Sequence, residues 1–148
     1  MIDIIPTAAE WLEGIGRVEL QFPDVNAEFP LITLCEIVNQ SDTVLNGQER
    51  LSLVSVQIDV WDSGATPEKV SEMSVQISAV MLSKGFRRVF GQFMPDGDLQ
   101  RKCMRFTAKI DEIMLMYGKE ASNRKQEIDR QHYTIPNQRP KDKHCGKI

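Results

Sequence analysis

The chain has 148 residues, 41% of them hydrophobic and 26% charged, with a formal net charge of -3. This length predicts one domain, able to bury enough surface to fold without a metal or a disulfide. The apolar fraction excludes a wholly disordered protein, and the mild acidity argues against a dedicated nucleic-acid binder, which carries an excess of Lys and Arg.

Thr7 to Glu13 predicts a short helix, with Thr7 as its cap and Gly14 and Gly16 as its stop. Arg17 to Phe22 alternates polar and apolar residues, the pattern of a half-buried strand, and Pro23 closes it. Asp24 to Pro30 reads as a loop. Leu31 to Val38 predicts a second strand. Asn39 to Glu49 reads as a polar connection built around the turn dipeptide Asn46-Gly47. Leu53 to Trp61 is the clearest strand: Val54, Val56, Ile58 and Val60 face one way, and Ser55, Gln57, Asp59 and Trp61 the other.

Thr66-Pro67-Glu68 opens the main helix, with Thr66 at the N-cap and Pro67 in the first helical position. Val70, Met73, Ile77, Val80 and Met81 form its apolar stripe, and Gly85 is its left-handed stop. Phe86 to Met94 and Gln100 to Asp111 predict an antiparallel hairpin about the turn Pro95-Asp96-Gly97-Asp98. The order is strand, strand, strand, helix, strand, strand after a short first helix. That is an α+β fold: a mostly antiparallel sheet with one main amphipathic helix on one face. The other face is mixed: Trp61 and Cys103 are more apolar than free solvent favours, and a partner subunit is one explanation.

From Gly118 onward the chain is polar. Residues 118–148 hold eight basic and four acidic side chains, a net of +4. The rest holds ten basic against seventeen acidic, a net of -7. The expectation is a domain over residues 1–117 and a basic extension over 118–148 that orders on a partner. Cys35, Cys103 and Cys145 are an odd number without paired spacing and read as reduced thiols. The N-terminus has no basic start and no long apolar run, so neither export nor a membrane is expected.

The residues point away from catalysis. The only histidines, His132 and His144, lie in the extension. The pair His144-Cys145 falls short of the three or four protein ligands a zinc site takes. Asp59 and Asp62 flank Trp61 and read as a solvated strand face and a turn. Gly14-Ile15-Gly16 follows a helix rather than a strand, so it lacks the context of a phosphate-binding loop. Cys35 and Cys103 have no histidine in residues 1–131 to activate them. Arg87 and Arg88, adjacent on a strand, point to opposite faces and make a poor joint clamp, one of them pairing with an acidic neighbour. Ile113-Met114-Leu115-Met116 reads as core packing or as an apolar docking edge.

Two stretches and their order carry a resemblance. Phe22-Pro23-Asp24 through Pro30-Leu31-Ile32-Thr33, followed by Glu36 and Asn39, resembles the early strand pair of phage tail terminator proteins. Gly85-Phe86-Arg87-Arg88, a loop, and then Arg101-Lys102-Cys103-Met104-Arg105-Phe106 resembles the late hairpin of that family. Val56-Gln57-Ile58-Asp59-Val60-Trp61 and the helix after it keep the family's order between them. The resemblance spans residues 15–111.

The resemblance implies a virion structural protein and no enzyme: a tail completion, or head-to-tail joining, protein of a long-tailed bacteriophage, with no cofactor and no catalytic residues. It implies a homo-oligomeric ring, a hexamer, that caps the tail tube, ends its polymerisation and joins the tail to the neck. Its partners are itself, the tail tube protein and a head completion or neck protein. DNA only passes through the lumen, and no membrane is involved. The place is the virion tail or neck, assembled in the host cytoplasm. A ring closes by heterologous contacts, so each subunit needs two different adhesive edges. The candidate ring, tube or neck contacts are Ser41, Asp42, Asn46, Gly47, Gln48 and Glu49, the turn Asp96, Gly97 and Asp98, and Arg87 and Arg88. The candidate partner-binding tail is Arg124, Lys125, Arg130, Arg139, Lys141 and Lys143. The alternatives are another neck ring, a stopper or adaptor, and a small-ligand-binding α+β domain, which a deep polar pocket would favour.

Overall fold

The computed structural model describes residues 1–20 and 22–111. The extension from residue 118, with its candidate residues Arg124, Lys125, Arg130, Arg139, Lys141 and Lys143, lies outside the described residues. So do the boundary at residue 117, the stretch 113–116, both histidines and Cys145.

The elements run α1 (Ile5–Leu12), β1 (Val18–Glu19), β2 (Leu31–Leu45), β3 (Gln48–Asp62), α2 (Glu68–Ser83), β4 (Arg87–Phe93) and β5 (Gln100–Asp111). They form an α+β fold around a five-stranded sheet of order β1-β2-β3-β5-β4. Every pairing is antiparallel except the short parallel contact of β1 with β2.

The apolar side of β3 builds the core. Val54, Val56, Ile58 and Val60 are all buried. The register sets Ile58 between Leu34 of β2 and Met104 of β5, and Val56 beside Phe106. Helix α2 covers this face with Val70, Met73, Ile77 and Met81. Ser74 and Ser78 are buried with them, while Val80, expected in the stripe, is only half-buried. Small side chains let the helix approach the sheet closely. Ser74 satisfies its hydroxyl by donating to the Val70 carbonyl at 2.6 Å, so its polarity costs little. Gly85, at φ +90°, ends the helix as expected, and the Phe86 N–H donates back to the Met81 carbonyl at 3.0 Å. Phe86 is then buried edge-on against Trp11.

Several boundaries differ from the sequence reading. Helix α1 begins at Ile5, with Pro6 in its first turn. Asp3 Oδ1 accepts from the Ile5 N–H at 3.2 Å, a role expected of Thr7. Gly14 and Gly16 do not take the left-handed conformation of a helix stop. Gly16 marks a close approach instead: a Cβ there would lie 2.9 Å from Met73 Cε. Helix α2 takes Pro67 rather than Thr66 as its N-cap residue, with no side-chain capping bond.

The largest difference is the segment Asn39 to Glu49, which is a strand pair and not a loop. Asn46 and Gly47, at φ 53° and 73°, make a tight two-residue turn whose twist matches antiparallel strands. The polar residues on either side therefore pair, from Leu45 with Gln48 down to Gln40 with Leu53. Polarity there reflects an arm exposed on both faces rather than irregular backbone. By contrast, the strand expected over Arg17 to Phe22 pairs only at Val18 and Glu19. The chain then leaves the edge and carries Phe22 across the second face of the sheet.

That second face corrects another expectation. Asp59, read as solvated, is 1% exposed, and Trp61 and Cys103 are buried within the chain itself. Phe22 sits edge-on to Trp61 with ring centroids 5.9 Å apart. The Arg101 guanidinium lies over both rings, 4.6 Å from Trp61 and 5.6 Å from Phe22. The cover ascribed to a partner subunit is thus supplied by Phe22 and Arg101.

The packing yields a direct expectation for stability. Ile77→Asp buries an unpaired carboxylate at a cost of several kcal/mol, comparable to the whole stability of a small domain. Urea unfolding should show no cooperative native baseline. Leu82→Asp, at a position 55% exposed on the same helix, should stay within about 0.5 kcal/mol of the parent. Equal effects at the two positions would mean that the helix face is assigned wrongly.

Candidate functional site

The sequence-predicted contact residues fall on two hairpin tips and one edge strand. Ser41 and Asp42 lie in β2, and Gln48 and Glu49 in β3, with Asn46 and Gly47 the turn between them. Asp42 sits at an irregularity between Ser41 and Thr43, where Lys109 reaches it at 3.3 Å. Glu49 accepts from the Ser52 hydroxyl at 2.7 Å and from the Met1 ammonium at 2.9 Å. The Ser52 hydroxyl first, then the ammonium, holds its carboxyl below the ordinary value.

Asp96, Gly97 and Asp98 form the tip of the β4–β5 hairpin. Asp96 and Leu99 exchange backbone hydrogen bonds at 3.0 and 2.9 Å, and Gly97 takes φ +57°. The antiparallel register places Leu51 of β3 beside Asp111 of β5, and Asp62 beside Gln100. The two tips therefore lie at opposite ends of the sheet and do not form one site.

Arg87 and Arg88 sit in β4, both exposed. Arg87 pairs in register with Thr107 and Arg88 with Phe106, which puts their side chains on opposite faces as expected. A β-bulge at Val89 follows them. The ion pair expected for one of them does not form among the described residues; Arg88 Nη1 instead makes a long contact of 3.5 Å to Ser78 Oγ.

Among the described residues, neither edge of the sheet is covered along its length by an outer strand. β1 covers β2 only at Ile32 and Thr33, so β2 beyond Thr33 has no outer strand partner among the described residues. β4 closes the other side of the sheet order in the same way. Each edge carries exposed apolar residues: Ile37, Val44 and Leu45 on β2, and Val89 and Phe93 on β4. Their charges have opposite sign. β2 bears Glu36 and Asp42 and no cation; β4 bears Arg87 and Arg88 and no carboxylate.

Sequence reasoning missed a polar network on the second face, centred on the buried Asp59. Arg101 Nε donates to Asp59 Oδ1 at 2.8 Å, and Gln57 Nε2 donates to Asp59 Oδ2 at 2.9 Å. Arg105 Nε donates to Gln57 Oε1 at 3.2 Å, and Trp61 Nε1 to Thr33 Oγ1 at 2.9 Å. The signal was the strict alternation of Arg101 and Arg105 across from Asp59 and Gln57. Neither cysteine is poised as a nucleophile. Burial, then the Asp59 charge, pushes the Cys103 thiol up to about 11, and the same two causes raise Cys35. A small cavity of about 50 Å³ lies beside Cys35, walled by Leu20, Phe22, Thr33 and Leu34. No cluster of three or more His, Cys, Asp or Glu side chains able to hold a metal occurs among the described residues. No described helix is long and apolar enough to cross a membrane.

Two measurements check this chemistry. Arg101→Met strands the buried Asp59 charge and should cost roughly 3–5 kcal/mol in denaturant unfolding. The double variant Arg101→Met with Asp59→Leu should recover most of that loss. A loss below about 1 kcal/mol in the single variant would contradict a buried pair. Separately, a Cys145→Ser variant at pH 8 should react with Ellman's reagent far more slowly when native than when unfolded, because both remaining thiols are protonated there. Equal rates would mean that Cys35 or Cys103 is exposed and ionised. No family model matches the chain, and no curated protein matches it in sequence.

Proposed function

We propose that this protein is a virion structural component of the phage tail terminator type, a ring-forming subunit that caps a tail tube and joins it to the neck. The observation that carries the reading is the pair of open sheet edges with opposite charge. A closed ring requires heterologous contacts, in which two different surfaces of one subunit meet. The β2 edge offers Glu36, since Asp42 is held by Lys109, and the β4 edge offers Arg87, since Arg88 turns to the α2 face; these two charges are complementary. Two β2 edges repel each other, as do two β4 edges, so head-to-tail contact is the favoured mode.

The hairpin tips support the second half of the reading. A subunit whose edges join its neighbours turns its remaining two ends outward. The Asn46-Gly47 tip and the Asp96-Gly97-Asp98 tip then lie on different ends of the ring, where a terminator meets the tube on one side and the neck on the other. The α+β fold is of the class that the resemblance implies. In this reading the work of the protein is assembly: it ends a polymer by presenting the next protein with a different surface.

The test uses two edge-blocked variants. Arg87→Glu with Val89→Glu blocks the β4 edge, and Glu36→Lys with Ile37→Lys blocks the β2 edge. Each alone should fail to complete particles in a phage carrying that allele, leaving over-long tubes and separate filled heads. Mixed in equal amounts at assembly concentration, the two should give a heterodimer and nothing larger, because only one competent edge pair remains. Normal-length tails joined to heads in the absence of the gene would overturn the reading.

A further inference from the structure

The face of α2 turned towards β4 and β5 borders a cleft of about 140 Å³ that the assembly reading does not use. It is lined by Ser71, Ser74, Val75, Arg88, Lys102 and Met104. This is far more room than the ~10–15 Å³ that one water needs. Its two cations reach it for separate reasons. The period-two alternation of β5 puts Lys102 in the same row as the buried Met104 and Phe106, where an apolar residue would extend the core. Lys102 is instead half-buried at the end of that row. Arg88 lies on this face because the bulge at Val89 separates it in register from Phe90. Bulges of this kind redirect side chains beside functional sites.

Neither cation has a carboxylate within ion-pair distance among the described residues. One hydroxyl completes the set of donors. Ser74 spends its proton on the Val70 carbonyl. Ser78, outside the lining, receives Arg88 at 3.5 Å, and Ser71 keeps its own proton. A guanidinium, an ammonium and the Ser71 hydroxyl thus line one mixed-walled cleft without a carboxylate.

We propose that this cleft binds a single oxyanion, a carboxylate or a phosphate group, between Arg88 and Lys102, with Ser71 donating to it. Charge-assisted bonds from a planar guanidinium and a point ammonium suit both groups. The Val75 and Met104 walls accept a short apolar stem behind the charged head. All these groups come from one copy of the chain, so the site stands apart from the ring and its failure leaves that reading untouched.

The test is an amide NMR titration of the full chain with sodium propionate and, separately, with inorganic phosphate, at ionic strength held constant with sodium chloride. At least one of the two should give saturable shifts centred on Ser71, Val75, Arg88 and Lys102. Saturation by propionate identifies an acidic side chain or small organic acid as the source, and saturation by phosphate alone identifies a phosphate-bearing ligand. Arg88→Gln with Lys102→Gln should weaken binding by at least about tenfold while the melting temperature holds. If the double variant does not fold, Arg88→Gln, at an exposed position, carries the same comparison. Shifts that grow linearly with both anions, or a folded variant that binds as tightly as the parent, would overturn the proposal.

Discussion

The structure depends on β3. It is the strand on which every other pairing is registered, directly or through one neighbour, and its apolar side is the floor of the core. Val54, Val56, Ile58 and Val60 are all fully buried, and the strand's period of two leaves no freedom in register: a slip of one residue would turn Ser55, Gln57 and Asp59 into the core. Fixing β3 fixes β2 on one side and β5 on the other over more than ten residues each. The open edges and the opposed hairpin tips follow from that frame.

With one long helix among the described residues for two faces, the sheet has a second means of closing its other side. The chain uses a polar device at the Trp61 end. Asp59, Arg101, Gln57 and Arg105 satisfy one another in series, and Phe22 lies over the top. A buried ion pair is weak evidence of stability in itself, because desolvating both charges offsets their attraction. Its value here is geometric. Asp59 and Arg101 stand on different strands, and Phe22 precedes both, so the pair draws the segment after β1 onto the sheet and fixes where it crosses. Cys103, beside this carboxylate, remains a protonated thiol because it is buried and, second, because of the Asp59 charge.

Legibility in the sequence followed local periodicity. Helix α2, its Gly85 stop, β5 and the hairpin at Gly97 were plain, since each is declared by a repeat or a turn residue within its own span. The β2–β3 arm was not. Asn46-Gly47 announced the turn, but Ser41, Asp42 and Thr43 read as loop, because an arm exposed on both faces loses the alternation by which a strand is recognised. Asp59 was misread for a different reason: its partner lies 42 residues away in Arg101, and no local pattern reports a long-range pairing. Ser74 and Ser78 went unseen in the helix stripe because their small size, not their polarity, is what the packing uses. Among the candidate contacts, the turn residues were legible as turns, while the opposition of the two tips and the edges required the topology.

Open edges ordinarily invite indiscriminate pairing, and soluble proteins blunt them with charges and bulges. Both devices are present here: β2 is irregular near Ile37 and Asp42, and β4 bulges at Val89. What distinguishes these edges is the sign of their charges. Had both carried cations, every edge contact would be suppressed alike. With a carboxylate offered on one and a guanidinium on the other, contacts that would make two-fold dimers or symmetric stacks are disfavoured, and in the proposed assembly β4 of one subunit meets β2 of the next. A heterologous contact of this kind gives a ring when its rotation closes and an open filament when it does not, and the proposed cap is the closed case. The bulges then limit how much backbone can pair, so the contact rests more on side chains than on a continuous ladder. In the proposed ring, this confines adhesion to subunits that arrive in the correct orientation.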